Sequence, residues 1–438
     1  MITKSPLEKR VKRRITARTH RFFAVCPPGL KRMCHKEIIS LSQQILNCEF
    51  QDIVMLSGGV EFTSTVQGCY AANLYLRTPS RILMRITKFK AENFRTLEKK
   101  LSQIEWELYL KPSLNVHVEV STNSSRLYHT DAIAQRAEKA IKESFIYVSS
   151  VVKINSLTNV AQISDNEKNK TAMQTIMIRG ENDLFEVSID SSGELLHKRG
   201  LKENVGVAPI RETIAFAILS AMKYPESLKV TICDNSLSDN SKIFRANNLP
   251  LIDGMCGSGT FAFEAAMVAL NIPAGFFRQF AFEDWQCFSK GQWEYMKKRA
   301  SENIIVPDPL YNNPFIFGVD QDAFILKEFE KMIQRFNLSS AIKTIAGDFL
   351  DILPEKITNN NNKGFVVLNP PYGKRIGENE DIEKIFFDIG RKLKSDFKGW
   401  RAAVIIPDKS FITYLHGKKS IMPIFHGGLE IYAVIVDC

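Results

Sequence analysis

Cysteine pairs at C-x-x-C spacing are missing from this 438-residue sequence: Cys26, Cys34, Cys48, Cys69, Cys233, Cys256, Cys287 and Cys438 stand singly. That scatter supports neither a zinc site nor a disulfide framework, and it fits a reducing, cytoplasmic setting. Long apolar runs are missing too, so no membrane span is expected, and no charged-then-apolar signal opens the chain. In the middle of the chain His117 and His129 lack Cys or Asp neighbours at ligand spacing, so no metal is expected. Acidic residues are scarce at the start, where Glu8 and Glu37 alone face eleven Lys and Arg within the first forty positions.

What is there is otherwise ordinary for globular protein, with 45% hydrophobic and 24% charged residues and a length that suggests two or three domains. The net charge of +10 is not spread evenly, because nine of the ten excess charges fall in those first forty residues. Residues 1–20 therefore read as a basic arm, too polar to fold alone, whose natural partner is a polyanion such as RNA. A solvated tail or an Arg-rich presequence has the same composition.

The most informative stretch is Gly364-Phe365-Val366-Val367-Leu368-Asn369-Pro370-Pro371-Tyr372-Gly373. Phe365–Leu368 reads as a buried strand of a sheet covered on both faces. Two prolines then end it in a rigid, extended turn at the carboxyl end of the strand, where open α/β sheets bind ligands. The chemistry of Asn369, Pro370, Pro371 and Tyr372 suits an exocyclic amino group on a nucleobase. Its nitrogen lone pair is conjugated with the ring and poorly nucleophilic. The Asn369 side-chain oxygen and the Pro370 carbonyl can accept its two hydrogens, turn the lone pair towards an electrophilic methyl group and stabilise the positive charge that develops. Tyr372 can stack on a base that has left its helix. No general base is needed in line.

A methyl donor site is legible at Leu249–Thr260. An apolar strand runs into Asp253-Gly254-Met255-Cys256-Gly257-Ser258-Gly259-Thr260, which opens an apolar helix. Glycines let the backbone approach a ligand, and the helix start favours a carboxylate. Asp253 can balance an ammonium, and Cys256, Gly257, Ser258, Gly259 and Thr260 line the turn. The stretch also fits a dinucleotide fingerprint, but the acid such a site needs about twenty positions on is not there. The next strand, Phe315–Val319, ends instead at Asp320 after a long aromatic-rich insertion, and a third, Lys343–Gly347, ends at Asp348. A carboxylate at Asp320 can accept both ribose hydroxyls at once. With Asn369, four successive strand ends carry acidic or polar groups, and together they form the expected cofactor pocket.

Before position 200 the pattern alternates strands and helices, as compact α+β units do. Phe22-Phe23-Ala24-Val25-Cys26-Pro27-Pro28-Gly29-Leu30 and Gly58-Gly59-Val60-Glu61-Phe62 read as strand-and-turn segments. Ser121–His129 is a hydroxyl-rich loop with one Arg and two rings, suited to phosphate and sugar contacts or simply to solvent.

In that order, these segments resemble the THUMP-containing RNA guanine-N2 methyltransferases, and most of all the bacterial enzymes acting on 23S rRNA. The resemblance runs from the end of the arm to near the C-terminus. It includes His197-Lys198-Arg199-Gly200, Ala208-Pro209-Ile210-Arg211-Glu212 and the insertion before Asp320. One departure is Lys374, at a place that is often acidic in that family. The resemblance implies a guanine N2 target, S-adenosyl-methionine as cofactor, and an adenine contact for Asp348.

The expectation is an α/β chain: an N-terminal α+β ferredoxin-like/THUMP RNA-binding part, then a Rossmann-like class I methyltransferase domain with a mixed seven-stranded sheet. Its segments are a basic arm at 1–20, a ferredoxin-like segment at 21–75, a THUMP domain at 76–195 and the catalytic domain at 196–438. RNA, most readily 23S rRNA, is the expected partner. A tRNA guanine-N2 enzyme, an adenine amino target, a nucleotide-dependent oxidoreductase and a non-catalytic RNA-binding factor are the alternatives.

Overall fold

The structure, a computed structural model, describes residues 5–44, 49–155, 173–201, 210–224, 243–244, 249–307, 314–358, 363–371 and 382–438. The chain divides into two compact units, one of residues 1–26, 34–196 and 278–296, the other of residues 27–33, 197–277 and 297–438.

In the first unit the elements run α1 (Pro6–Val11), β1 (His20–Val25), α2 (Lys31–Gln44), β2 (Gln51–Leu56), β3 (Gly59–Ser64), α3 (Val66–Tyr75), β4 (Arg81–Lys90), α4 (Phe94–Ser102), β5 (Asn115–Asn123), α5 (Thr130–Asn155), β6 (Met173–Glu181) and β7 (Leu184–Asp190). Their strands form one seven-stranded sheet in the order β2-β3-β1-β4-β7-β6-β5. The segments expected at 21–75 and 76–195 thus share a single sheet. Strand β2 was not anticipated, because nearly every residue in it is exposed and no apolar alternation marks it. Strand β5 runs on through Ser121, Thr122 and Asn123, so the expected loop begins only at Ser124. The Asp183 carboxylate accepts the Arg126 N–H at 2.7 Å and anchors that loop.

The basic arm is not a bare tail. Helix α1 opens with a capping box, in which Ser5 and Glu8 satisfy each other's backbone amides, and continues through one wide turn, Lys12–Thr16. Val11 and Ile15 are buried, and His20 Nε2 lies 2.8 Å from the Ile15 carbonyl. Two apolar residues a turn apart supply the inward face that charge counting hid.

The aromatic insertion also belongs here rather than with the catalytic segment that was expected to contain it. Trp285 is 1% exposed, and its Nε1–H donates to Gln174 Oε1 at 2.9 Å. Phe282 stacks on Tyr70 at a centroid distance of 4.5 Å. The Arg278 guanidinium donates to the carbonyls of Ser192, Glu194 and Leu195 at 2.6–3.1 Å.

In the second unit α6 (Glu212–Ala221) precedes β8 (Leu251–Gly254), α7 (Thr260–Ala269), β9 (Ile316–Asp320), α8 (Ala323–Arg335), β10 (Ile342–Ala346), β11 (Phe365–Leu368), α9 (Ile382–Asp396), β12 (Arg401–Ile406), β13 (Lys418–His426) and β14 (Leu429–Asp437). The sheet order is β10-β9-β8-β11-β12-β14-β13, parallel from β10 to β12, with β14 antiparallel to both its neighbours. This is the expected mixed seven-stranded sheet.

Both faces are covered, because successive side chains point to opposite sides. Leu251, Ile316 and Val367 join α6, α7 and α8 in one core layer, and Ile252, Phe317, Val366 and Leu368 join α9 in the other. Strand order reverses at β8, so the crevice for a ligand lies beyond the carboxyl ends of β8, β9 and β11.

Candidate active site

Register puts the predicted residues side by side. Gly254, the last residue of β8, pairs with Val319 on β9 and with Leu368 on β11, so Met255, Asp320 and Asn369 leave the sheet at one level.

The turn after β8 is held in a shape that few residues tolerate. Met255, Gly257 and Gly259 have φ of 61°, 50° and 71°, all left-handed. The Cys256 N–H donates to the Val319 carbonyl and the Gly259 N–H to the Cys256 carbonyl, both at 2.9 Å. Two of the glycines answer different needs. A Cβ on Gly259 would come 2.2 Å from the Phe329 ring, so this glycine lets α7 pack on α8. A Cβ on Gly257 would meet nothing within 4 Å, so this one faces open space. A Cβ on Gly318 of β9 would come 2.6 Å from the same ring, a proximity that spacing in the sequence could not show.

The carboxylates differ in their duties. Asp320 is half-buried, and its Oδ2 accepts the Gly257 N–H at 2.7 Å while its Oδ1 accepts the Asp322 N–H at 3.0 Å. Each oxygen keeps a lone pair for a further donor. Asp253 is 1% exposed, and its Oδ2 accepts the Ala262 N–H at 3.0 Å. It is thus tied to the first turn of α7. Asp348 is exposed and caps the short turn Phe349–Asp351 by accepting the Leu350 N–H at 2.9 Å. Gly259 itself brings no capping side chain, and the Asp253 carboxylate already takes one of the first-turn N–H groups of α7.

Asn369 is the anomaly. Its Oδ1 is buried and, among the described residues, has no hydrogen-bond partner. An acceptor left in that condition costs about 1–3 kcal/mol, and a donor arriving from a ligand would recover it. Pro370 is buried beside it and Pro371 half-buried. Tyr372 and the following Gly373–Gly377 lie outside the described residues, as do Ala208 and Pro209.

One feature of the site has no counterpart in the sequence reading. Arg199 and Glu264 form a buried ion pair at 3.3 Å, with side chains 1% and 0% exposed. Glu264 is the one charged residue of α7, which is apolar on every other side. A lone acid in an apolar helix was the available signal.

Known proteins share the fold and parts of the sequence. Residues 245–424 match the family UPF0020, described as an RMKL-like methyltransferase domain, and residues 21–83 match the RlmL ferredoxin-like domain. A Synechocystis protein named as a candidate RNA methyltransferase, slr0064, is 28% identical over 94% of this chain and 96% of its own length. The ribosomal RNA large subunit methyltransferases K/L of Cellvibrio japonicus and Methylococcus capsulatus are 27% and 28% identical over 88% of this chain. The chain spans only 46% and 47%, about half, of those two relatives. Among solved structures SMU.472, described as a candidate methyltransferase in complex with SAH, shares the fold with a TM-score of 0.73 at 24% identity, covering 96% of this chain and 98% of that one. Residues 245–424 of this chain are therefore similar to the RMKL-like methyltransferase domain of UPF0020, and residues 21–83 to the RlmL ferredoxin-like domain.

Proposed function

We propose that the protein transfers a methyl group from S-adenosyl-methionine to the N2 amino group of a guanine in RNA, with large-subunit ribosomal RNA as the substrate. The orphaned Asn369 Oδ1, at the carboxyl end of β11 and level with the glycine turn, carries the reading. The names of the large-subunit methyltransferases K/L support the choice of RNA.

The residues present fit the cofactor. Gly257 borders open space and Asp320 has acceptor capacity left for ribose hydroxyls. Cys256, Ser258 and Thr260 line the turn that leads into α7. Asp348 lies at the next strand end, where an adenine would reach it. When bound, S-adenosyl-methionine supplies an electrophilic methyl group. Asn369 Oδ1 and the Pro370 carbonyl then accept the two amino hydrogens, aim the nitrogen lone pair and stabilise the charge it acquires. Tyr372 stacks on the flipped base. Because Asn369 is already desolvated in the free protein, its acceptor needs little reorganisation.

The same two acceptors would serve an adenine amino group. A Listeria monocytogenes structure described as a candidate N6-adenine-specific DNA methylase, 25% identical with a TM-score of 0.73, gives that reading its place. Nucleoside mass spectrometry of protein-free large-subunit rRNA, incubated with the protein and S-adenosyl-methionine, separates the two. N2-methylguanosine is the expected product, and N6-methyladenosine or an unmodified RNA would overturn the proposal.

A further inference from the structure

Helix α1 and the wide turn after it sort their cations by direction. At about 100° per residue, positions i, i+3 and i+4 share a face. Val11 and Ile15 form the buried face. Arg10 and Arg14, one turn apart, form a flank that is already neutralised. Arg10 donates to Glu105 at 2.6 Å and to Glu107 at 2.8 Å, and Arg14 pairs with Glu105. Arg21, past the helix, lies 3.5 Å from Glu61 and 3.9 Å from Glu186. Lys9, Lys12 and Arg13 form the remaining face, and all three are exposed. Among the described residues nothing pairs with them, nor with the exposed Arg18 that follows.

We infer that the arm is a docked helix whose outer cations, Lys9, Lys12 and Arg13, bind RNA phosphates, while Arg10 and Arg14 only hold it in place. The inference rests on the RNA substrate proposed above and names which charges meet it. A membrane surface is a poorer partner, because an interfacial helix needs an open apolar face and this one is covered. Three fixed cations on one ridge position a phosphate backbone without reading its bases.

Filter binding of labelled, protein-free large-subunit rRNA over a range of KCl concentrations tests this. Three sets of protein are compared: the parent, Lys9→Gln/Lys12→Gln/Arg13→Gln, and Arg10→Gln/Arg14→Gln. Each phosphate contact contributes roughly 0.7–0.9 to the slope of log affinity against log salt, so the triple variant should lose about 2 units. The double variant should lose less than about 1 and should instead melt earlier, since it removes the docking pairs. A triple variant with the parental slope, or two variants with equal losses, would overturn the assignment while leaving the RNA reading intact. A parent that retains no RNA at any salt would remove both. Capture of labelled polyglutamate in preference to RNA would assign the ridge to an acidic protein and likewise overturn it.

Discussion

The Asp320 carboxylate accepts the Gly257 amide at 2.7 Å, so the end of one strand fixes the turn that follows its neighbour. That turn has left-handed φ at Met255, Gly257 and Gly259, a shape that needs outside support. Asp320 shapes the turn, and we propose that its remaining lone pairs receive the ribose hydroxyls of the cofactor. Asp320→Ala should raise the dissociation constant of S-adenosyl-methionine about 10- to 100-fold, the scale of one lost bond to a charged group. Titration calorimetry checks it, and an unchanged affinity would confine Asp320 to the turn.

The Arg199–Glu264 pair is buried at both ends. Breaking it from one side takes a buried partner from the other charge, so Arg199→Met or Glu264→Gln should destabilise the second unit by about 3–5 kcal/mol. Replacing both, as Arg199→Met/Glu264→Leu, should recover most of that loss. Denaturant melts of the three variants decide it. If the double variant is as unstable as the singles, the two side chains do not act as a pair.

In the first unit, burial pushes the Asp190 carboxyl up to about 6 from an ordinary 3.8, although Arg81 beside it and the Ser192 amide pull it down. Between those values the folded protein holds the proton and the unfolded chain does not. The stability this contributes is thus present below about 4 and lost as pH rises through 6, by about 3 kcal/mol in all. Asp190→Asn should remove that slope. Melting temperatures of the parent and the variant from pH 4 to 7 would show parallel curves if Asp190 were not the cause.

Most of the catalytic sheet was legible because its signals are local. Phe365–Leu368 is a short apolar run closed by two prolines, and Gly257 and Gly259 mark a turn that other residues cannot make. The strand ends at Asp320, Asp348 and Asn369 followed from the same punctuation. What stayed hidden depends on distant partners. Nothing near Asp253 announces that Ala262 will take its oxygen, and sixty-five positions separate Arg199 from Glu264. The arm misled for the opposite reason. Its charges dominate the composition, whereas the two side chains that dock it, Val11 and Ile15, are apolar and few. The insertion carried a strong aromatic signal, yet sequence order could not say that Trp285 and Phe282 would pack on Gln174 and Tyr70.

The central claim is that the buried Asn369 oxygen, which has no hydrogen-bond partner among the described residues, receives the amino group of the target base. Asn369→Ala removes that acceptor and leaves the glycine turn and Asp320 in place. Because the oxygen has no hydrogen-bond partner among the described residues, the variant should melt no earlier than the parent. The decisive measurement is the single-turnover rate of methyl transfer to large-subunit rRNA, read beside the affinity for S-adenosyl-methionine. The account predicts a rate lower by roughly 10²-fold or more, with donor affinity changed by no more than about twofold. A parental rate, or a loss wholly explained by weaker donor binding, would contradict it.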